Sequence, residues 1–385
     1  MANTLTNIMP KILARGLMAL RERCVLPTLV NMDYGTEAAQ KGDTINIPIP
    51  TASTTEAVTP NHVPTAADDN IFDNVTISLD KWYKNRAFHL TDKELTQVDR
   101  NQDYVPMLVG EAMRGIANQI NTDLFGLYTS VGNQANPDSS SIAVEDIVEA
   151  RKLLNQSNCP SDNRVGVINF EAEAALLSIA DFTGANTSGD ANSRREGEIG
   201  RKYGINWFAD DSCPLFTSGT AVWAAGNVTG TGTQGSRTLT LTEVAAADTE
   251  TIVLGDSFTI AGDTTVYSIV GLPAAAAAHT IVNAAAFAVT ISPGLRSTVT
   301  DANVLLHGAS AAASTVARTG MVFHRDAFAL ATRPLMASAT DLSLGSNMMS
   351  MTDPVSGLSL RLEVQRQYKQ TTWEFDILYG VGCVR

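Results

Sequence analysis

Apolar and polar residues alternate in two early segments, and this pattern predicts a pair of β-strands. The first, residues 44–49, reads Thr-Ile-Asn-Ile-Pro-Ile, and Pro48 restricts it to a sheet edge because proline has no N–H to donate. The second places three apolar side chains on one face: Val75, Ile77 and Leu79. An isolated hairpin is only marginally stable, and long polar loops such as residues 51–70 are usually functional or disordered. We therefore predict an ordered arm whose contacts lie on another molecule.

Apolar residues recur at three- and four-residue steps over residues 103–130, which predicts one long helix. Asp103 is placed to cap this helix, and Pro106 falls in its first turn. The stripe consists of Val105, Leu108, Val109, Ala112, Met113, Ile116, Ile120, Leu124, Leu127 and Tyr128. At 1.5 Å per residue the helix spans roughly 40 Å.

The end of the chain contains the clearest strand pair, with a turn near Lys369-Gln370. Its apolar positions are Leu358, Leu360, Leu362, Val364, Trp373, Phe375, Ile377 and Tyr379. Burying these side chains contributes roughly 12–24 kcal/mol gross, and ordering the hairpin costs a similar amount at roughly 1–2 kcal/mol per residue. The hairpin must therefore pack on something, and the long helix is the expected partner.

The middle of the chain predicts an α+β body followed by an all-β segment. A helix at 143–156, a strand at 165–168 and a short helix capped by Asn169 form the body. Residues 238–291 show short alternating strands with frequent turns, which predict a small barrel or sandwich. Residues 217–317 carry only two cations, Arg237 and Arg296, and this shift in composition predicts a unit inserted into another unit.

Composition limits the possible functions. The 385 residues, 44% of them hydrophobic, can form two or three units with buried cores. The net charge of −13 disfavours a general nucleic-acid binder. No apolar run approaches ~18 residues, so no membrane span is expected, and the first residues do not read as a secretory signal. The four cysteines lie far apart, which indicates free thiols in a reducing compartment.

Candidate chemistry is sparse, and neither a metal nor another cofactor is expected. Residues 230–235 match the GxGxxG spacing, but a strand pattern follows them where a dinucleotide site needs a helix. Gly255-Asp256-Ser257-Phe258 has the form of a hydrolase nucleophile block, yet His279 and His307 lack the carboxylate context of a catalytic base. The five histidines show no metal-ligand spacing.

Five stretches, in this order along the chain, carry a resemblance: GDTINIPIP (42–50), LGDSFTIAGD (254–263), AVTISPGL (288–295), TGMVFHRDAFALATRPL (319–335) and YKQTTWEFDILYGV (368–381). They resemble the major capsid (coat) protein of tailed double-stranded-DNA bacteriophages with the Hong Kong 97 fold. The similarity is greatest to the branch typified by the coat of the Salmonella short-tailed phages.

The resemblance implies an α+β Hong Kong 97-type fold with an inserted small all-β barrel domain. The implied segments are an N-terminal arm (1–40), an extended loop (41–88), a peripheral domain with spine helix and β arm (89–140 and 350–385), an axial domain (141–216 and 318–349) and the inserted barrel (217–317).

The implied function is structural, not enzymatic. Many copies assemble as hexamers and pentamers into an icosahedral shell that encloses the genome without sequence-specific DNA binding. Assembly runs in the host cytoplasm through a scaffold-guided procapsid that expands on packaging. The implied partners are a scaffolding protein, a portal protein at one vertex and a decoration protein, with no membrane.

Charged residues of the projecting segments are the expected inter-subunit contacts. They are Arg15, Arg21 and Arg23 of the arm, Glu56, His62, Asp68 and Asp69 of the excursion tip, Lys81, Lys84 and Arg86 beyond it, and Arg194, Arg195 and Arg201 of a polar loop. We expect the acidic tip to face the basic patch Lys81, Lys84 and Arg86 of a neighbour. The alternative interpretation is that these are solvated surface charges.

Two other function classes stay open from the residues alone. A decoration or glycan-binding module would use the β insert, whose aromatics are few: Trp223, Phe258, Tyr267 and Phe287. A secreted hydrolase would use Ser257.

Overall fold

The computed structural model describes a defined part of the chain. The described residues are 13, 16, 25–33, 44–50, 72–93, 104–131, 134–135, 142–179, 199–221, 228–243, 251–263, 265–273, 276–281, 285–307, 309–310, 313–314, 316–318, 320–333, 335, 346–352 and 358–384.

Both helices and strands are present among the described residues, with strands in the majority. The helices are α1 (Leu26–Leu29), α2 (Tyr104–Phe125), α3 (Val144–Gln156) and α4 (Phe170–Ser178), with 3-10 helices at Gly126–Ser130 and Arg325–Ala327. The strands are β1 (Thr44–Pro50), β2 (Phe72–Ser78), β3 (Lys81–Lys84), β4 (Phe88–Thr91), β5 (Arg164–Ile168), β6 (Arg201–Lys202), β7 (Ile205–Ala209), β8 (Leu215–Thr217), β9 (Val228–Gly232), β10 (Thr238–Glu243), β11 (Thr251–Val253), β12 (Ser257–Ile260), β13 (Tyr267–Gly271), β14 (Ala278–Thr280), β15 (Ala286–Ser292), β16 (Val299–His307), β17 (Ala309–Ser310), β18 (Ala313–Ser314), β19 (Val316–Arg318), β20 (Met321–His324), β21 (Phe328–Arg333), β22 (Ser346–Thr352), β23 (Ser359–Gln367) and β24 (Gln370–Cys383).

The chain divides into two compact units. Unit one comprises residues 1–121 and 326–385, and unit two comprises residues 122–325.

An antiparallel sheet in the order β21-β24-β23-β22 dominates unit one, with β3 and β4 also pairing with β24. The predicted C-terminal hairpin is confirmed as β23 and β24, and all eight of its predicted apolar side chains are at most 5% exposed. Its turn lies at Tyr368-Lys369, one residue earlier than predicted, and Lys369 adopts φ +54°.

The predicted long helix is confirmed as α2, which continues into the 3-10 helix Gly126–Ser130. Its buried stripe is Val109, Met113, Ile116, Ala117, Ile120, Leu124 and Phe125. A Cβ built on Gly16 would lie 3.4 Å from the Met113 sulfur and 3.6 Å from both Leu360 and Phe375. Residue 16 therefore lies between the helix and the hairpin, which are close neighbours as predicted. No helix among the described residues is both long and apolar enough to cross a bilayer.

The predicted strand pair is confirmed as β1 and β2, which pair with Ile45 opposite Ile77. The base of this hairpin packs on its own unit, because Ile45, Ile47, Ile77 and Leu79 share a buried cluster with Ala329 and Ala331 of β21. The prediction that the excursion finds its contacts on another molecule is therefore wrong for this base. The tip, residues 51–70, lies outside the described residues.

Unit two contains a closed barrel of six strands, in the order β10-β15-β13-β12-β16-β9. The all-β character predicted for residues 238–291 is thus confirmed. The barrel interior is apolar and fully buried at Leu239, Leu241, Phe258, Tyr267 and Ile291, because these residues alternate with polar ones along each strand.

A second sheet in unit two has the order β20-β5-β7-β6 and packs with α3 and α4. The predicted helix–strand–helix body is confirmed. The Asn169 side chain accepts a hydrogen bond of 3.0 Å from the Ala172 amide and caps α4 as expected.

Candidate assembly surfaces

Four of the predicted contact residues lie in the described part of the chain: Lys81, Lys84, Arg86 and Arg201. The other nine lie outside it: Arg15, Arg21, Arg23, Glu56, His62, Asp68, Asp69, Arg194 and Arg195. Arg201 is exposed at the start of β6 in unit two, whereas the three residues of the basic patch belong to unit one. Of the predicted pairing between the acidic tip and the basic patch, the structure therefore describes the basic patch alone.

The basic patch is partly neutralised by its own sheet. Lys84 Nζ lies 3.0 Å from Glu374 Oε1, although the Lys84 side chain remains 66% exposed. Lys81 pairs with Tyr379 in the ladder and is partly buried, while Arg86 is exposed. An acidic loop from a neighbour would therefore compete with Glu374 for Lys84.

A buried ion pair lies beside this patch, where β3, β23 and β24 meet. Arg361 Nε donates to Asp376 Oδ1 at 2.8 Å, and Trp82 Nε1 donates to Asp376 Oδ2 at 2.9 Å. The Arg361 guanidinium lies 5.8 Å from the centroid of the Trp82 ring. Burial alone disfavours the charged guanidinium, but the hydrogen bonds and charge of Asp376 outweigh it and raise the pKa of Arg361. This cluster fixes β3 onto the sheet.

The tip of the β23–β24 hairpin is the most exposed aromatic site among the described large hydrophobic residues. Tyr368 is 86% exposed, and Lys369 Nζ lies 5.2 Å from its ring centroid. Arg366 Nη2 donates to Asp92 Oδ2 at 2.7 Å, and this hydrogen bond is the main reason that the pKa of Asp92 lies below its usual value. The pair joins the chain after β4 to the exposed end of the hairpin.

The two motifs that suggested chemistry have structural positions. The GxGxxG glycines Gly230 and Gly232 lie in β9, and the chain turns directly into β10. Ser257 opens β12 and is only 3% exposed. Asp256 before it accepts backbone hydrogen bonds and so acts in the turn between β11 and β12. Sequence reasoning missed Asp376, Arg361 and Asp256 as functional candidates.

Comparison with known proteins gives one family match. The model of a family described as phage capsid protein matches residues 73–241. No curated protein matches the chain.

Solved structures of low identity are also similar. A structure from Mycobacterium phage Che8 has 15% identity and a TM-score of 0.48, covering 94% of this chain and 88% of that one. The capsid structure of Cyanophage P-SCSP1u has 11% identity and a TM-score of 0.47, covering 94% and 85%. The family match includes β3, α2 and the start of the barrel, and over residues 73–241 the chain is similar to phage capsid proteins.

Proposed function

We propose that the chain is the major capsid protein of a tailed double-stranded-DNA phage, of the Hong Kong 97 type and the branch with an inserted barrel. The observation that carries this proposal is the combination, in one chain, of a two-stranded excursion, a long helix and a β hairpin packed beside that helix. The closed barrel between β8 and β19 supports the inserted-domain branch.

In this proposal the segments have the roles that the resemblance implies. Residues 1–40 form the arm, 41–88 the extended loop, 89–140 with 350–385 the peripheral domain, 141–216 with 318–349 the axial domain, and 217–317 the barrel domain. Hexamers and pentamers assemble around a scaffolding protein, with a portal protein at one vertex and a decoration protein outside, and the procapsid expands on packaging.

The extended loop is the segment that reaches a neighbouring subunit. The base of β1 and β2 is anchored on its own unit by buried isoleucines, so the hairpin leaves that unit at a fixed place. Residues 51–71 continue beyond the pairing of Pro50 with Phe72. Their acidic residues Asp68 and Asp69 face the basic patch of the next subunit, where Lys84 exchanges Glu374 for the incoming carboxylates.

Assembly of the expressed protein tests this function. We expect shells or sheets in negative-stain microscopy when the full-length chain is produced with the phage's scaffolding protein. Replacing residues 51–71 by Asn-Gly, a sequence that favours a tight hairpin turn, should leave circular dichroism unchanged and abolish shells. A matched exchange at the exposed Thr240→Ser should assemble normally.

Charge reversal tests the pairing of the acidic tip with the basic patch separately from the capsid function. Asp68→Lys with Asp69→Lys should reduce assembly, and adding Lys84→Glu with Arg86→Glu should restore it. Unchanged assembly in the first variant would remove the pairing but not the capsid function. A monodisperse monomer at high concentration with scaffold present would contradict the function itself.

A further inference from the structure

The barrel is connected to the rest of unit two by a short strand ladder, which we call the stalk. The stalk pairs β8 with β19, residue Phe216 opposite Ala317. A two-stranded ladder of three residues a side holds only a few hydrogen bonds and is a narrow support for a six-stranded barrel. Contacts beside the stalk must therefore fix how the barrel is oriented within this unit.

The turn between β11 and β12 supplies such a contact. The Asp256 carboxylate accepts hydrogen bonds from the Gly219 amide at 3.2 Å and from the Val253 amide at 2.8 Å. Gly219 lies two residues beyond the stalk, so this carboxylate bonds the segment through which the chain enters the barrel. Gly255 adopts φ +94°, and a Cβ there would lie 3.0 Å from the Phe216 ring. Turn and stalk thus fit closely.

Beside the Phe216 ring the contact face is polar, unlike the barrel interior. Gln134 Nε2 donates to the Gly255 carbonyl at 2.7 Å. Asp256 and Ser257 are 1% and 3% exposed, and Ser268 is fully buried. Within the described part of the chain the Ser268 hydroxyl has no hydrogen-bond partner. Hydrating such a face costs little, because water replaces the hydrogen bonds that separation breaks.

A cavity lies between α3 and the barrel, and Gln134 belongs both to its lining and to the contact face. Its volume is about 250 Å³, and it is lined by Gln134 together with Thr265, Val266, Pro293 and Arg296 of the barrel and Lys152 of α3. The space between α3 and the barrel is therefore incompletely filled.

We propose that this junction is a hinge: the barrel moves on the stalk, and opening brings water to the buried carboxylate of Asp256. The inference does not depend on the capsid function, because every contact used lies within unit two.

The charge of Asp256 sets the direction in which pH acts on the hinge. Burial raises the pKa of Asp256 from 3.8 to about 6, although the amides of Val253 and Gly219 oppose the rise. Among the described residues no cation pairs with it. A carboxyl group with a higher pKa in the closed state than in water favours closure when protonated. The opening equilibrium should therefore increase as pH rises, by about fourfold between pH 5.5 and 7.5.

The neighbouring elements contribute few other titratable groups. Tyr128 of the 3-10 helix interacts with the charge of Asp256, and burial together with that charge raises its pKa above 10, so it stays neutral over this range. His307 lies opposite Ser257 in the ladder of β12 and β16. The stalk and β13 present Phe216 and Ile269, which do not titrate.

Amide hydrogen exchange of the full-length chain tests the hinge. Exchange is followed in peptides spanning residues 216–221 and 253–257 at pH 5.5 and 7.5, corrected for intrinsic rates. We expect the corrected rate to rise about fourfold in the unmodified protein and not at all in Asp256→Asn. His307→Gln should retain the rise, as should Asp263→Asn, whose carboxyl group has a lowered pKa and is ionised at both values.

Two results would overturn the hinge. One is an equal corrected rate at both pH values in the unmodified protein, a measurement that depends on no variant folding. The other is a fourfold rise that persists in Asp256→Asn or disappears in His307→Gln, since either would assign the titration to another group.

Discussion

Two ion pairs in the sheet of unit one differ in burial, and burial decides what each contributes. The Arg361–Asp376 pair has side chains 14% and 5% exposed, whereas those of Arg366 and Asp92 are 55% and 46% exposed. Water screens the second pair and not the first. The buried pair therefore contributes more to the stability of this sheet than the exposed pair does.

Removing Asp376 should be far more destabilising than removing Asp92. Asp376→Ala leaves the Arg361 charge and the Trp82 N–H without their acceptor, and we expect a loss of about 3–5 kcal/mol. Asp92→Ala should have a much smaller effect, because water screens this exposed pair. Urea unfolding followed by tryptophan fluorescence measures both, because Trp82 and Trp373 lie in this sheet. Equal losses would contradict the role assigned to burial.

Asp256 should make stability fall as pH rises. Its folded-state pKa is raised from 3.8 to about 6, so the folded chain binds the proton more tightly than the unfolded chain between those values. The cost of ionisation is absent below pH 4 and complete above about pH 6, where it amounts to about 3 kcal/mol. Calorimetry of the unmodified protein and Asp256→Asn at pH 5.5 and 8 should show a difference of about 0.8 kcal/mol in pH dependence. A parallel response of the two proteins would contradict this expectation.

At the scale of elements, residue periodicity predicted which segments are strands and helices but not their register. The predicted turn at Lys369-Gln370 would place Arg361 opposite Leu378, whereas the turn at Tyr368-Lys369 places it opposite Asp376. The one-residue error hid the ion pair. No pattern in the sequence predicts the hydrogen bond between Gly219 and Asp256. The two residues are 37 positions apart and become neighbours only when the barrel closes.

The anchored base of the β1–β2 hairpin was also beyond sequence reasoning. Alternation indicated that Ile45 and Ile77 face an apolar partner, but another subunit and β21 fit that pattern equally well. The close approach of β24 to β2 shows that the partner is the sheet of the same unit. A Cβ on Gly380 would lie 2.3 Å from the Ser78 carbonyl oxygen, so glycine at this position permits the contact.

Gly380→Ala should separate the hairpin base from the sheet. The added methyl group meets backbone, which cannot yield as a flexible side chain can, so Ile77 should lose its burial and amides in 72–80 should exchange faster. Gly115→Ala is the matched control, because nothing lies within 4 Å of a Cβ at that helical position. The control should gain up to about 1 kcal/mol in stability. Unchanged exchange in Gly380→Ala would show that the hairpin base is held elsewhere.

At the scale of the whole molecule, two kinds of surface coexist. Apolar contacts inside each unit are complete at the barrel interior and the hairpin face. Exposed apolar side chains remain at Tyr368, Phe170 and Phe208. A chain that repeats each modest contact around closed symmetry needs no single strong interface. The division between complete cores and projecting contacts suits a shell subunit.

The acidic balance of the chain makes a prediction about how isolated subunits respond to double-stranded DNA. With a net charge of −13, the subunit and the DNA repel each other, and the repulsion reaches further at low salt, where the Debye length grows from about 10 Å at 0.1 M to about 30 Å at 0.01 M. Lowering the salt should therefore weaken any binding of double-stranded DNA by isolated subunits, as measured by fluorescence anisotropy. A protein that binds through lysine and arginine shows the opposite sign, because its affinity rises as counterions are released into dilute salt. Tighter binding at 0.01 M than at 0.1 M would show that a basic surface of the subunit binds DNA despite the net negative charge, and would contradict this expectation.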